Sequence, residues 1–176
     1  GAPFIHKIDA SIPEEPETAA IIEDYRRQLN GLVASFTAGE FADISQIVAR
    51  SDFTLPRDQP FSESTIGNFV TDSMRVETEK LLGEKVDFAL QANGTIRGGL
   101  LVGSNRHNAG KITFFDLVSI STMGNGTDNL PGYPLISLYL TGTEVHRLLE
   151  IAVILPQLWG DIYFLQFSGL RYTYDP

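Results

Sequence analysis

Apolar residues recur at three- and four-residue spacing in several stretches of the chain, and each stretch predicts an amphipathic helix. Ile21, Tyr25, Leu29 and Leu32 share one helical face and predict a helix from about Glu17 to Phe36, with Asn30-Gly31 as its weak point. Pro13 and Pro16 bracket two glutamates just ahead, a composition that suits a first helical turn. A second helix is predicted from Glu63 or Ser64, with Ile66, Phe69, Val70, Met74 and Leu81 on one side and Gly83 as its stop. Thr113 predicts the cap of a short helix through Val118, with Asp116 in its first turn. Thr141 and Glu144 have capping-box spacing, followed by Val145, Leu148, Leu149, Ala152 and Val153, and Pro156 predicts the end of that helix.

Between these stretches the pattern changes to short or alternating apolar runs. ADISQIVAR (42–50), VDFALQ (86–91), PLISLYL (134–140), YFLQF (163–167) and LRYTYD (170–175) predict strands, the last two around Ser168-Gly169. GLLVG (99–103) is apolar enough to be an element packed nearby. Residues 1–15 predict an extended piece and a proline-punctuated linker. Helices and strands mix without strict alternation, which predicts an α+β domain with a mixed β-sheet and packed helices. The 176 residues suit one domain able to bury about 70% of its unfolded surface.

Charge and composition narrow the function. With 22 acidic and 13 basic residues the net charge is −9, against a nucleic-acid-backbone binder or attraction to an anionic membrane surface. A small anion is still compatible, because salt screens the distant negative field over about 10 Å and one local arginine can dominate. The absence of cysteine excludes disulfides, thiolate nucleophiles and cysteine-bound zinc, and leaves the compartment open. The apolar run IAVIL (151–155) is far short of the ~20 residues of a membrane span. No signal peptide is visible, but Gly1 is not a native start, so a lost upstream leader is compatible. His6, His107 and His146 are scattered without metal-ligand spacing, and no G-x-S-x-G elbow occurs, so no catalytic or metal-ligating residue is assigned.

Three loops and turns could carry ligand chemistry. In QANGTIRGGL (91–100) a strand ends at a small, glycine-bearing turn that presents Arg97, whose planar fork suits a phosphate or carboxylate. A turn with a surface arginine paired to an acid is the alternative. In ESTIGNFVTDSM (63–74), Gly67 inside a helical pattern suggests close packing or ligand approach, and Glu63, Asn68 and Asp72 form either a functional or a merely solvated polar face. STMGNGTDN (121–129) is a glycine- and asparagine-rich loop after a predicted helix, a common place for ligand contacts and as often a plain connection.

Taken in order, ESTIGNFVTD, ANGTIRGG, STMGNGT, LTGTEVHRLLE and FLQFSGLRYTYD resemble the motifs of the C-terminal domain of the 5′-nucleotidase family. SIPEEPETAAIIEDYRRQL looks like that family's interdomain linker and helix. The resemblance implies a linker and extended segment at 1–15 and the family's C-terminal-like domain at 16–176, with the segment carrying a second stacking aromatic beyond Pro176. It implies nucleotide or nucleoside binding through Arg97, Asn93, Gly94, Met123, Gly124 and Asn125. It also implies an N-terminal metallophosphatase domain of the same chain holding two divalent metal ions, and a periplasmic or extracellular location. On this expectation the parent protein is a phosphoester hydrolase, and the chain alone is inactive and holds no cofactor. The chain departs from the family pattern at Ala92, which stands at the loop asparagine's place with Asn93 one residue later. Met123 stands where the stacking aromatic falls, and Ser62 at a frequent arginine position. Base–aromatic stacking is worth about 1–3 kcal/mol, so these departures also fit a second reading: a binding or scaffolding module that has lost nucleotide recognition.

Overall fold

The computed structural model describes residues 11–57, 60–101, 110–121, 124–127, 129 and 131–175. The chain divides into two compact units, residues 1–46 and 47–176. In the first unit, helix α1 (Pro16–Phe36) starts with proline at its N-terminus, and the Glu15 carboxylate accepts the Glu17 and Thr18 amides at 3.1 and 2.7 Å. The weak point at Asn30-Gly31 does not end it. Instead the Asn30 side chain accepts the Ile44 amide at 3.0 Å, which ties the helix to the chain that follows it. Val33 is the residue of α1 that is fully buried.

The second unit holds, in order, β1 (Ile47–Arg50), α2 (Thr65–Leu82), β2 (Ala89–Ala92), β3 (Lys111–Thr113), α3 (Phe114–Ser121), α4 (Gly142–Trp159) and β4 (Leu165–Ser168). Short 3-10 turns at Asn93–Thr95 and Asp161–Tyr163 follow β2 and precede β4. Among the described residues the strands form two antiparallel pairs, β1 with β3 and β2 with β4. The α+β class is therefore observed. The parallel partners that a mixed sheet would add are not among these ladders. Leu55, Ile66, Val70, Ile96, Leu100, Ile112 and Ile120 form the core cluster, drawn from α2, α3, β3 and the segments beside them.

Helix boundaries follow their caps. Ser64 accepts the Gly67 amide at 3.0 Å to open α2, and Gly83 closes it at φ 70°, a left-handed conformation that suits glycine. Thr113 and Asp116 bond reciprocally at the start of α3, with the Thr113 amide donating to the Asp116 carboxylate at 2.8 Å and the Asp116 amide donating to the Thr113 hydroxyl at 3.2 Å. The capping box of Thr141 and Glu144 opens α4. Pro156 does not end α4, which runs on to Trp159. A proline in the final turn forfeits only one internal bond, and the Gly160 amide still reaches the Pro156 carbonyl at 2.8 Å.

Two predicted strands are absent from the ladders. Residues 134–140 pair with no described strand; neighbouring Leu135 and Ile136, and likewise Leu138 and Tyr139, are all exposed. Alternation along that run therefore does not correspond to one buried face. Residues 170–175 also pair with none, although Tyr172 packs edge-on against Phe167 with ring centres 5.5 Å apart. Of the 99–103 run, Leu100 exchanges backbone bonds of 3.0 Å with Leu55, and residues 102 and 103 lie outside the described part.

Candidate functional site

The turn that carries Arg97 is built on β2. Antiparallel pairing sets Ala92 opposite Leu165 on β4, and the chain then tightens into the Asn93–Thr95 turn, where the Thr95 hydroxyl donates to the Ala92 carbonyl at 2.7 Å. Ile96 turns into the core at 1% exposure, which forces the next side chain outward. Arg97 is accordingly exposed. Its backbone is nevertheless fixed, since its amide donates to the Ile120 carbonyl in the last turn of α3 at 2.6 Å. Its guanidinium pairs with no acid among the described residues, so the surface ion pair of the alternative is not found among them.

Asn93 lies behind this tip, buried at 2% exposure and held on every side. Its amide nitrogen donates to one Asp161 oxygen at 3.1 Å, and its side-chain oxygen accepts from Gln166 at 2.9 Å. Its backbone N–H donates to Phe164 at 2.8 Å, and its carbonyl accepts from the Arg57 guanidinium at 3.1 Å. Gln166, 1% exposed on β4, also donates to the Ser62 carbonyl and accepts the Ser64 amide, both at 3.0 Å. Asp161 further accepts the Phe61 amide at 2.7 Å. A buried polar group without a partner costs about 1–3 kcal/mol, so these side chains act as one satisfied network joining the start of α2, the arginine turn and β4.

The glycines have separate explanations. A Cβ on Gly94 would sit 2.9 Å from the Ile162 carbonyl, and one on Gly99 would sit 2.5 Å from the Leu55 carbonyl. Both are glycine because the protein's own backbone crosses there. Gly98 faces open space, with nothing within 4 Å. On α2, a Cβ at Gly67 would collide with the Gln166 side chain, so that glycine admits the network. Asp72 bonds to the Ser168 hydroxyl, to which Arg75 also donates at 2.8 Å, while Asn68 donates to Glu63 at 2.6 Å. The polar face predicted for α2 is thus partly a seam to β4.

The carbonyl that holds Arg97 belongs to the penultimate residue of α3, ahead of the glycine- and asparagine-rich run. Met123 lies outside the described residues. Gly124 (φ 62°) and the exposed Asn125 belong to a small closed loop, with an Asn125–Pro131 bridge and the Gly132 amide donating to the Gly124 carbonyl at 2.9 Å. The structure therefore ties the Arg97 backbone to the last turn of α3 and withdraws the Asn93 side chain into the fold. Arg57, Asp161 and Gln166 are not legible as site residues from sequence. Gln166 alone has a local signal, the Leu-Gln-x-Ser-Gly run, while its partners lie 73 to 104 positions away in sequence.

An open cleft of about 540 Å³ lies beside the network, lined by Pro56, Arg57, Pro60, Gly99, Leu101 and Asp161. Arg97 is not among its lining residues. Among the described residues no group of three or more histidine, aspartate and glutamate side chains is placed to hold a metal ion. Nor does any described helix have the length and apolar character to cross a membrane.

Comparison with known proteins identifies the fold first. A 5′-nucleotidase precursor from Thermus thermophilus superposes with a TM-score of 0.57 at 23% identity, over 91% of this chain and 26% of that one. A cell wall protein of Listeria monocytogenes serovar 1/2a is 28% identical over 165 residues, which are 93% of this chain and 19% of that protein. The chain thus spans only a fifth to a quarter of the length of these relatives. The family described as 5′-nucleotidase, C-terminal domain, matches residues 22–176, and the chain belongs to it.

Proposed function

We propose that this chain is the nucleotide- or nucleoside-binding domain of a metal-dependent 5′-nucleotidase-type phosphoester hydrolase. Family membership supports the reading, and the observation that carries it is Arg97: a solvent-facing guanidinium on a backbone clamped between β2 and α3. The clamp fixes where the side chain leaves the fold, and its planar fork suits an anionic or hydrogen-bonding ligand. The Met123 loop, with Gly124 and Asn125, supplies the adjoining contacts, and Gly94 and Asn93 act from behind by shaping the turn.

In this reading the two divalent metals belong to a separate N-terminal metallophosphatase domain of the same chain, where bound metal activates the attacking water. The location is outside the cytosol, periplasmic or extracellular, a placement supported by the cell wall name of the Listeria relative. The second reading, a module without nucleotide recognition, is favoured by one observation: the Asn93 side chain is fully engaged inside the protein.

Calorimetry with AMP and adenosine separates the two. The nucleotide reading expects saturable binding that weakens about tenfold or more in Arg97→Ala, in keeping with a charge-assisted contact. Absence of binding at millimolar ligand, or binding indifferent to Arg97→Ala, overturns it.

A further inference from the structure

Asparagine followed by glycine occurs three times in the chain, at Asn30-Gly31, Asn93-Gly94 and Asn125-Gly126. The pair has a chemistry of its own. The glycine nitrogen can close a five-membered ring onto the asparagine side chain, because glycine carries no Cβ to obstruct the approach. The fold treats the three copies differently.

Asn30 lies inside α1, where backbone N–H groups are taken up by helical bonds, and its side-chain oxygen accepts the Ile44 amide at 3.0 Å. Asn93 is 2% exposed, and both ends of its side-chain amide are bonded, to Asp161 and to Gln166. Asn125 is exposed, and its side chain has no hydrogen-bond partner among the described residues. It stands in a small loop in which the Gly132 amide donates to the Gly124 carbonyl at 2.9 Å and the Asn129 amide to the Gly126 carbonyl at 3.1 Å. Freeing the Gly126 nitrogen takes the opening of this loop alone. Freeing that of Gly31 or Gly94 takes the unwinding of a helix or the breakage of a buried network.

We infer that Asn125 is a site of spontaneous modification: it deamidates through a cyclic imide, while the other two pairs stay intact in the folded chain. The Gly126 nitrogen loses its proton to solvent base and bonds to the carbonyl carbon of the Asn125 side chain. The bond to the side-chain nitrogen breaks, and that nitrogen takes up a proton and leaves as ammonia. Water then opens the imide at one of its two carbonyls, which yields aspartate or isoaspartate. Either product places a carboxylate in the loop after α3, and isoaspartate also routes the backbone through the side chain. On the nucleotide reading this loop adjoins the ligand, so the new charge opposes an anionic nucleotide. That consequence alone rests on the nucleotide reading.

The test ages the folded chain at mildly alkaline pH in heavy-oxygen water. Trypsin, which cuts after lysine and arginine, then puts the three pairs in separate peptides, 28–50, 86–97 and 112–147. Mass spectrometry is expected to find deamidation in 112–147 about tenfold or more faster than in the other two, with heavy oxygen incorporated and isoaspartate among the products. In guanidinium chloride the three rates are expected to converge, since the local sequence then governs alone. Asn125→Gln removes the signal, and Gly126→Ala slows it about tenfold or more by placing a methyl group beside the attacking nitrogen. Equal rates in the folded chain, rates that differ as much in denaturant, a signal unchanged in Asn125→Gln, or products without isoaspartate would each overturn the inference. Calorimetry with AMP reads the consequence: the aged chain is expected to bind more weakly than the fresh one, and equal binding overturns the effect on the ligand. A fresh chain that binds no AMP fails the nucleotide reading and leaves the mass readout standing.

Discussion

Helices α2 and α4 have the same length, 18 residues, and both begin at a hydroxyl cap, yet they stand differently in the protein. α2 buries Ile66, Gly67, Val70 and Thr71 and lies against β2 and β4. α4 buries Ala152 and Pro156, and leaves Ile151, Ile154, Leu158 and Trp159 largely exposed. Capping does not account for this, since α4 carries a reciprocal capping box and α2 a single serine cap bond. What differs is the partner surface, and packing against a partner contributes most of a helix's stability in a folded protein.

The largest expected contrast comes from one substitution made in each helix. Ile66→Ala empties a fully buried site and is expected to cost about 2–5 kcal/mol, whereas Ile154→Ala at 51% exposure stays within about 0.5 kcal/mol. Urea unfolding of both variants reads the difference, and equal losses would mean that α4 is packed as firmly as α2.

Opposite signs are expected from a pair of glycine substitutions. Gly67→Ala drives a methyl group into Gln166, whose side chain is bonded to Ser62, Ser64 and Asn93 and cannot swing away freely. A loss of about 1–3 kcal/mol follows. Gly142→Ala at the start of α4 meets nothing within 4 Å and is expected to stabilise by about 0.4–1 kcal/mol through the unfolded state. Thermal unfolding of the two variants checks the sign directly.

The smallest effect concerns pH. The Thr141 backbone amide, and then its hydroxyl, hold the Glu144 carboxyl below its ordinary value of 4.5. A carboxyl depressed in the folded state contributes stability above that value and loses it as pH falls through the folded pKa. Thr141→Ala is expected to lower Tm by about 2–4 °C near neutrality. The gap from the parent chain should narrow as pH falls below 4.5 and through the folded pKa, and a gap that widened there would contradict the capping box as the cause.

How far the fold can be read in advance follows the same division. Starts and stops of helices are legible because caps are local: Ser64, Gly83, Thr113 and Thr141 each act within four residues. The end of α4 is misread from sequence because proline is damaging in a helix interior but tolerable in the last turn. Strand pairing is less legible, since alternation in residues 134–140 says nothing about whether another strand lies alongside. At the site, Arg97 and its turn stand out within a run of ten residues. The commitment of Asn93 to Asp161 and Gln166 does not, because no local pattern encodes partners 68 and 73 positions away.

Turns at strand ends are ordinarily the first parts of a protein to open, since little holds them. The Asn93 turn has the opposite character. Any excursion that frees its side chain also strips Asp161 of one donor and Gln166 of one acceptor, the same two groups that receive the Phe61 and Ser64 amides. Local breathing at the arginine tip is thereby geared to the residues that lead into α2, and the amide protons of Phe61, Ser64 and Asn93 are expected to exchange as one cooperative unit.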